Sequence, residues 1–311
     1  MAASLQNQEN ERNLAAESIS SWETNATYWD SVMGLEGNKY WKKLQVPCLQ
    51  RMLEEKSSSG SSGHVFTALE LATGNGLGAR FLASHGAKSV LATDAAEAML
   101  DIADGYLDFP VEARGSEARA AGTAAEIETK LLRDIISLRR LDVTKDDEFE
   151  LLLKGDFPGY DVILLNMAIM DIATLDPLAK ALPKLLAKDG MFIATLLHPL
   201  FFTSDASRSV AQHYNQSTGE QETVRSVIVR EYLNVPPAKG IALPGQPEKQ
   251  LYFHRPIHEL LGTFLKGDQL VLDMLEEPAF TAEDKDEKRV ESTCNFIGVP
   301  ALLAFRLRRK V

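Results

Sequence analysis

The chain has 311 residues, 45% of them hydrophobic, enough for the core of one large α/β domain with additions or of two small ones. A formal net charge of −11 argues against nonspecific grip on nucleic acid, which comes from basic residues meeting phosphates. Two cysteines, Cys48 and Cys294, supply neither a disulfide framework nor metal-ligand spacing, and read as small apolar residues in a reducing compartment.

The first stretch, 1–17, is polar and acidic and reads as disordered; it lacks the apolar core of a signal peptide. No apolar run is long enough to span a bilayer, so a soluble cytoplasmic protein without membrane partners is expected. Residues 18–56 alternate helical patterns with the aromatics Trp22, Tyr28, Trp29, Tyr40 and Trp41 and read as a helical cap. SSSGSSG at 57–63 is a flexible linker by composition.

Val65 to Leu71 is a near-continuous apolar run, as in a parallel strand covered on both faces, interrupted by the acid Glu70. Ala72-Thr73-Gly74-Asn75-Gly76 then forms a small-residue turn into a helix that buries Leu77, Phe81 and Leu82. Gly74 and Gly76 can take backbone angles closed to other residues and let a ligand lie against the chain. A second strand, Ser89 to Thr93, delivers Asp94 where an acid accepts hydrogen bonds from ribose hydroxyls. Gly74-x-Gly76-x-x-Ala79 also satisfies the dinucleotide fingerprint, so a nicotinamide-dependent oxidoreductase stays open on the glycines alone.

A helix carrying Met99, Ile102, Ala103 and Tyr106 follows, then a charged, alanine-rich helix over 111–133. The third strand, 135–141, ends in Asp142-Val143, and the fourth begins at Tyr160-Asp161 and brings Asn166 to its carboxyl end, where ligands bind in open parallel sheets. A helix over 177–188 stops at Asp189-Gly190. Met191 to Leu197 is the fifth strand, and His198 directly after it is the best candidate base, the alternative being a role in shape or cap anchoring. Residues 200–251 are too long and polar for a simple connection and read as an inserted lid with one strand over 224–233. A helix over 257–266 and strands over 269–276 and 301–308 complete the chain, with Arg306, Arg308, Arg309 and Lys310 read as a solvated strand end and AEDKDEKR as a solvated loop.

The spacing acid-x-small-x-Gly-x-Gly at Glu70 to Gly76 resembles motif I of the class I S-adenosylmethionine-dependent methyltransferases. A carboxylate beside the turn suits that cofactor better than a diphosphate, which it would repel. Asp142-Val143 resembles motif III and the fourth strand motif IV, without the Asn-Pro-Pro-Tyr tetrad of enzymes that methylate adenine or glutamine amides. Tyr252-Phe253-His254-Arg255-Pro256 resembles a segment of the small-molecule branch. The resemblance implies a doubly wound, seven-stranded, mostly parallel sheet of Rossmann-like type with an antiparallel last strand, its core formed by 64–199 and 252–311.

The resemblance further implies S-adenosylmethionine as cofactor, converted to S-adenosylhomocysteine. It would be held by Tyr28, Trp41, Glu70, Ala72, Gly74, Gly76, Asp94, Ala95, Met99, Asp142, Val143, Asn166 and Met167. Tyr28, Met170, His198, His254 and Arg255 are the candidates on the substrate side, with a structural clasp as the other reading of His254 and Arg255. The implied activity is direct in-line methyl transfer to an oxygen, nitrogen, carbon or sulfur atom of a small molecule, of secondary-metabolite type, by a monomer or homodimer without a metal. A cofactor-retaining protein that does not methylate, a pericyclase or a regulator, is the alternative.

Overall fold

The strand Phe66–Leu71 (β1) stands at the centre of the sheet in the computed structural model of this chain, with a parallel neighbour on each side. That position explains its near-continuous hydrophobicity. The structure describes residues 2–57, 65–111, 130–155 and 157–310.

Before β1 come α1 (Ala2–Met33), a π-helical turn Trp41–Gln45 and α2 (Val46–Ser57). After it follow α3 (Leu77–Ser84), β2 (Ala87–Asp94), α4 (Glu97–Gly105), β3 (Ile136–Arg140), α5 (Asp146–Leu152), β4 (Tyr160–Asn166), α6 (Asp176–Leu185) and β5 (Leu186–Leu197). The remainder holds β6 (Ala206–Tyr214), β7 (Gln221–Val229), β8 (Ala238–Gly240), β9 (Gln250–Tyr252), α7 (Ile257–Leu265), β10 (Leu270–Glu276) and β11 (Leu302–Arg309). Seven strands pair in the order β10-β11-β5-β4-β1-β2-β3. The last, β11, runs antiparallel between β5 and β10, and the others are parallel, as the family resemblance implied.

Period-two alternation decides what each strand residue meets. Leu69, Leu71, Ile163 and Phe192 pack with Phe149, Leu178 and Phe264 of α5, α6 and α7. Ala68, Val162, Leu164 and Ile193 pack with residues of α2 and α3. Glu70 lies between Leu69 and Leu71 and so shares the α3 face with Ala68. The strand order reverses between β1 and β4, and the crevice beyond their carboxyl ends is where open sheets of this kind bind ligands.

Several sequence expectations change. Residues 1–17, expected to be disordered, belong to α1 from Ala2 onward. Ala15, Ile19, Trp22, Ala26, Trp29 and Met33 recur at helical spacing and give this polar stretch a stripe to bury. Ala15 is buried there, and the Ser18 hydroxyl donates to the Asp171 carbonyl at 2.7 Å. The linker read at 57–63 falls outside the described residues except for Ser57, which ends α2. Of the helix expected over 111–133, residues 112–129 lie outside them, and Leu132–Asp134 is a 3-10 turn.

The helix expected to reach Lys188 stops at Leu185, because Leu186 already pairs with Tyr160 and a register shift there accommodates Gly190. A Cβ on Gly190 would stand 2.6 Å from the Tyr160 carbonyl oxygen. Arg306 is not solvated: it is buried, with its guanidinium on Asp273 at 2.9 Å and on the Met52 carbonyl at 2.7 Å, which fastens α2 to the sheet. In the acidic run Asp284 is buried too, accepting from the Thr281 N–H at 3.0 Å.

The inserted stretch contains a hairpin, β6 with β7, of which only the second strand is foreseen in the sequence. Both faces of the hairpin are largely solvated, so β6 carries no alternation to read. Among the described residues no helix is long and apolar enough to cross a membrane.

Candidate functional site

At the carboxyl end of β1 the chain passes through Ala72 (φ 51°), Gly74 (φ 56°) and Gly76 (φ 80°) before entering α3. A left-handed alanine is uncommon, and the surrounding bonds hold it there. Thr73 N–H donates to the Thr93 carbonyl at 2.8 Å, and the Thr93 hydroxyl donates back to the Glu70 carbonyl at 2.9 Å. These two bonds lock the turn to β2.

Glu70 is buried beneath the turn and accepts from the Thr73 hydroxyl. Burial pushes its carboxyl up to about 8, against the pull of Thr73 and Arg80. A Cβ on Gly78 would run into the Glu70 Oε1 and stand 2.8 Å from its Cδ, so glycine in the first turn of α3 makes room for the acid. Asp94 ends β2, and its two oxygens accept from Gly74 N–H at 2.8 Å and Ala96 N–H at 2.9 Å. Burial raises its carboxyl to about 6, opposed by those N–H groups.

Beyond β3, the Asp142 Oδ1 accepts from the Thr144 N–H at 3.0 Å and hydroxyl at 2.6 Å. Asn166, ending β4, accepts from the Thr195 hydroxyl at 2.7 Å and donates to Gln45 Oε1 at 2.9 Å. These side chains border one cavity of about 910 Å³. Of the residues expected to hold a cofactor, Trp41, Glu70, Ala72, Gly74, Asp94 and Ala95 line it, as do Met99, Asp142, Val143, Asn166 and Met167. Met170, expected on the substrate side, lines it as well.

Five expected site residues stand elsewhere. Gly76 shapes the turn without lining the cavity, and Tyr28 is outside the cavity wall too, its phenol donating to the Pro244 carbonyl. His198 is outside the cavity wall: its Nε2 lies 2.8 Å from Glu277 Oε1, and its Nδ1 accepts from the Leu200 N–H at 3.3 Å. Burial lowers its pKa, opposed by the hydrogen bond and charge of Glu277. His254 is held between the Thr203 hydroxyl at 2.9 Å and the Tyr232 carbonyl at 2.6 Å.

Arg255 is the clasp. Its guanidinium donates to the carbonyls of Ile169, Ile172 and Ala173 at 3.1, 2.7 and 2.9 Å, fixing the turn after β4. Removing these charge-assisted bonds in Arg255→Met should cost about 2–3 kcal/mol of stability. Thermal unfolding read beside cofactor titration checks this, and an unchanged melting temperature would refute it.

The structure adds residues that sequence reasoning passed over. Glu23 of α1 reaches the start of α4, accepting from Glu97 N–H at 2.7 Å and Ala98 N–H at 2.9 Å. Asp30 accepts from the Asn75 amide at 2.8 Å and the Tyr106 phenol at 3.0 Å, so α1 is fastened directly over the glycine turn. Trp22 and Trp29 of the same helix line the cavity and meet edge to face at 5.0 Å. Asp171 and Gln250 line it too. The helical stripe containing Trp22 and Trp29 was visible in the sequence, whereas nothing local marks Asp171 or Gln250.

No family model matches the sequence, and no curated protein matches it. Solved structures do. An S-adenosylmethionine-dependent methyltransferase from Mesorhizobium loti superposes with a TM-score of 0.57 at 21% identity, covering 89% of this chain and 100% of the other. A proposed S-adenosylmethionine-dependent methyltransferase from Listeria monocytogenes gives a TM-score of 0.52 at 20% identity, covering 86% and 99%. The fold is that of the class I S-adenosylmethionine-dependent methyltransferases.

The residues at the methyltransferase-fold crevice suit that cofactor. Asp94 brings a buried carboxyl to the cavity wall, and the wall at Ala95, Met99 and Val143 is apolar. Glu70 sits beneath the first turn of α3, in the space that Gly78 leaves open.

Proposed function

We propose that this protein transfers the methyl group of S-adenosylmethionine directly to a nucleophilic atom of a small molecule. The observation that carries the reading is the convergence of Glu70, Asp94, Asp142 and Asn166, from the ends of four adjacent strands, on one cavity. When bound, the cofactor supplies a sulfonium methyl, an electrophile that needs neither a metal nor a covalent enzyme intermediate.

The chain's own part is to bind, align and keep dry. Asp94 would hold the ribose, Asp142 and Val143 the adenine, and Glu70 with the turn the amino-acid end. Trp22, Trp29 and Trp41 wall the cavity and exclude water, which favours a reaction that disperses charge. Alignment of acceptor, methyl and sulfur supplies much of the remaining rate. The stretch 200–251 and α1 act as lid and cap, and acceptor choice resides there. A small acceptor of secondary-metabolite type, a monomer or homodimer, and a cytoplasmic location complete the proposal.

The test is calorimetric titration with S-adenosylhomocysteine and with NAD, followed by incubation with methyl-labelled cofactor and a broad acceptor panel. Binding of the homocysteine compound alone, with label transferred, is the expected result. Binding without transfer to any acceptor would point to a pericyclase or regulator, and NAD binding in its place would overturn the reading.

A further inference from the structure

The cavity wall holds a buried carboxyl that the contacts proposed for the cofactor leave unused. Asp171 follows β4 at the end of a 3-10 turn, is 9% exposed and lines the cavity. Its Oδ1 accepts from the Gln250 amide at 3.2 Å, and Gln250, itself 2% exposed, is positioned through Oε1 by the Gln246 amide at 3.2 Å. Among the described residues Asp171 Oδ2 receives no hydrogen bond and no cation lies within salt-bridge distance of it. The phenol of Tyr252, two residues after Gln250 and also in the wall, is likewise without a hydrogen-bond partner there.

The nearby basic side chains are engaged elsewhere. Of those lining the cavity, Lys239 pairs with Glu17, and Arg208 donates to the Thr293 hydroxyl. A carboxyl removed from water needs a donor or a counter-charge, and one placed in a cavity wall can receive it from a ligand. Burial indeed raises Asp171 well above the ordinary carboxylate range, and with Asp171 beside it burial also raises Tyr252.

On the reading that the crevice binds S-adenosylmethionine, we propose that Asp171, Gln250 and Tyr252 form the acceptor subsite, and that the acceptor is a small molecule carrying an amine. The ammonium form would be held by Asp171 Oδ2, with the Tyr252 phenol as second polar contact. The ammonium first gives one proton to the Asp171 carboxylate, which leaves a neutral amine. The nitrogen lone pair then forms the N–CH3 bond while the S–CH3 bond breaks with its electron pair left on sulfur, so the product is an N-methylammonium that takes over the sulfonium charge. The proton on Asp171 passes to water as the product leaves, and atoms and charge balance.

The experiment uses the full chain and Asp171→Asn, which keeps the shape and an oxygen for the Gln250 amide but loses the charge. Both proteins are titrated with S-adenosylhomocysteine, then assayed with labelled cofactor against small aryl-alkyl amines and their hydroxyl isosteres. The expected result is equal affinity for S-adenosylhomocysteine, label on amines only, and a KM for the amine raised about thirtyfold or more in Asp171→Asn. Tyr252→Phe should raise the same KM by a smaller factor with cofactor affinity unchanged. Label on hydroxyl isosteres in preference to amines, label on no amine, or an amine KM unmoved in Asp171→Asn overturns the subsite while leaving the cofactor reading standing. Failure of the unaltered protein to bind S-adenosylhomocysteine overturns the cofactor reading itself.

Discussion

Asp94→Ala is expected to weaken S-adenosylhomocysteine binding about a hundredfold or more, since two hydrogen bonds from a ribose diol to a buried carboxylate are lost together. The same change also releases the Gly74 and Ala96 N–H groups, which the carboxylate oxygens hold at 2.8 and 2.9 Å. The glycine turn therefore loses one of its tethers to β2 as well as the proposed ligand contact. Asp94→Asn should recover part of the affinity, because an amide oxygen can still accept from Gly74. Calorimetry on the three proteins, with unfolding followed separately in the absence of ligand, reads the two effects apart. Undiminished affinity in Asp94→Ala would mean that the crevice does not hold a ribose at the end of β2.

The second large effect is in stability against pH. Glu70 is pushed up to about 8 in the folded chain by burial, from an ordinary 4.5. Between those values the unfolded chain has released this proton and the folded chain still holds it. Stability contributed by the group is therefore complete below about 4.5 and falls as pH rises toward 8, by about 1.4 kcal/mol for each pH unit in the window. Asp94, raised to about 6, adds a slope of the same sign at the lower end. His198, held below its ordinary value of 6.5, acts in the opposite sense on the acid side.

The informative quantity is thus the difference between the unaltered chain and Glu70→Gln. The variant has nothing to titrate at this position while keeping an oxygen for the Thr73 hydroxyl. Denaturant unfolding of the ligand-free proteins at pH 5, 6.5 and 8 should show the variant gaining on its parent as pH rises, by several kcal/mol in total. A parent whose stability runs parallel to that of Glu70→Gln across this range would show that the acid is ionised in the folded state and paired there.

The two outcomes for acids in this chain show where local sequence carries information and where it does not. Glu70, Asp94 and Asn166 end strands whose apolar runs are unmistakable, and a parallel sheet has one carboxyl edge, so their convergence on a single crevice follows from order along the chain. His198 ends a strand too, yet its ring turns to Glu277, seventy-nine residues away in sequence, and no local pattern contains that choice. Asp171 is the converse: an unremarkable acid after an apolar segment, made conspicuous only when Gln250 of the inserted stretch closes over it.

The sequence by itself carried the strand runs, the glycine turn and the acids at the strand ends, because strand periodicity and turn chemistry act between near neighbours, while the form of the sheet was legible only through a family resemblance. Tertiary structure alone decided that the polar N-terminal stretch would be a helix fastened over the turn by Glu23 and Asp30, that Arg255 would bond the carbonyls after β4 and His254 would bridge Thr203 and Tyr232, and that Asp171 would meet Gln250. Each of those outcomes depends on a partner supplied from far along the chain. Burial, which sets both the charge state and the orientation of such groups, exists only once the chain has folded.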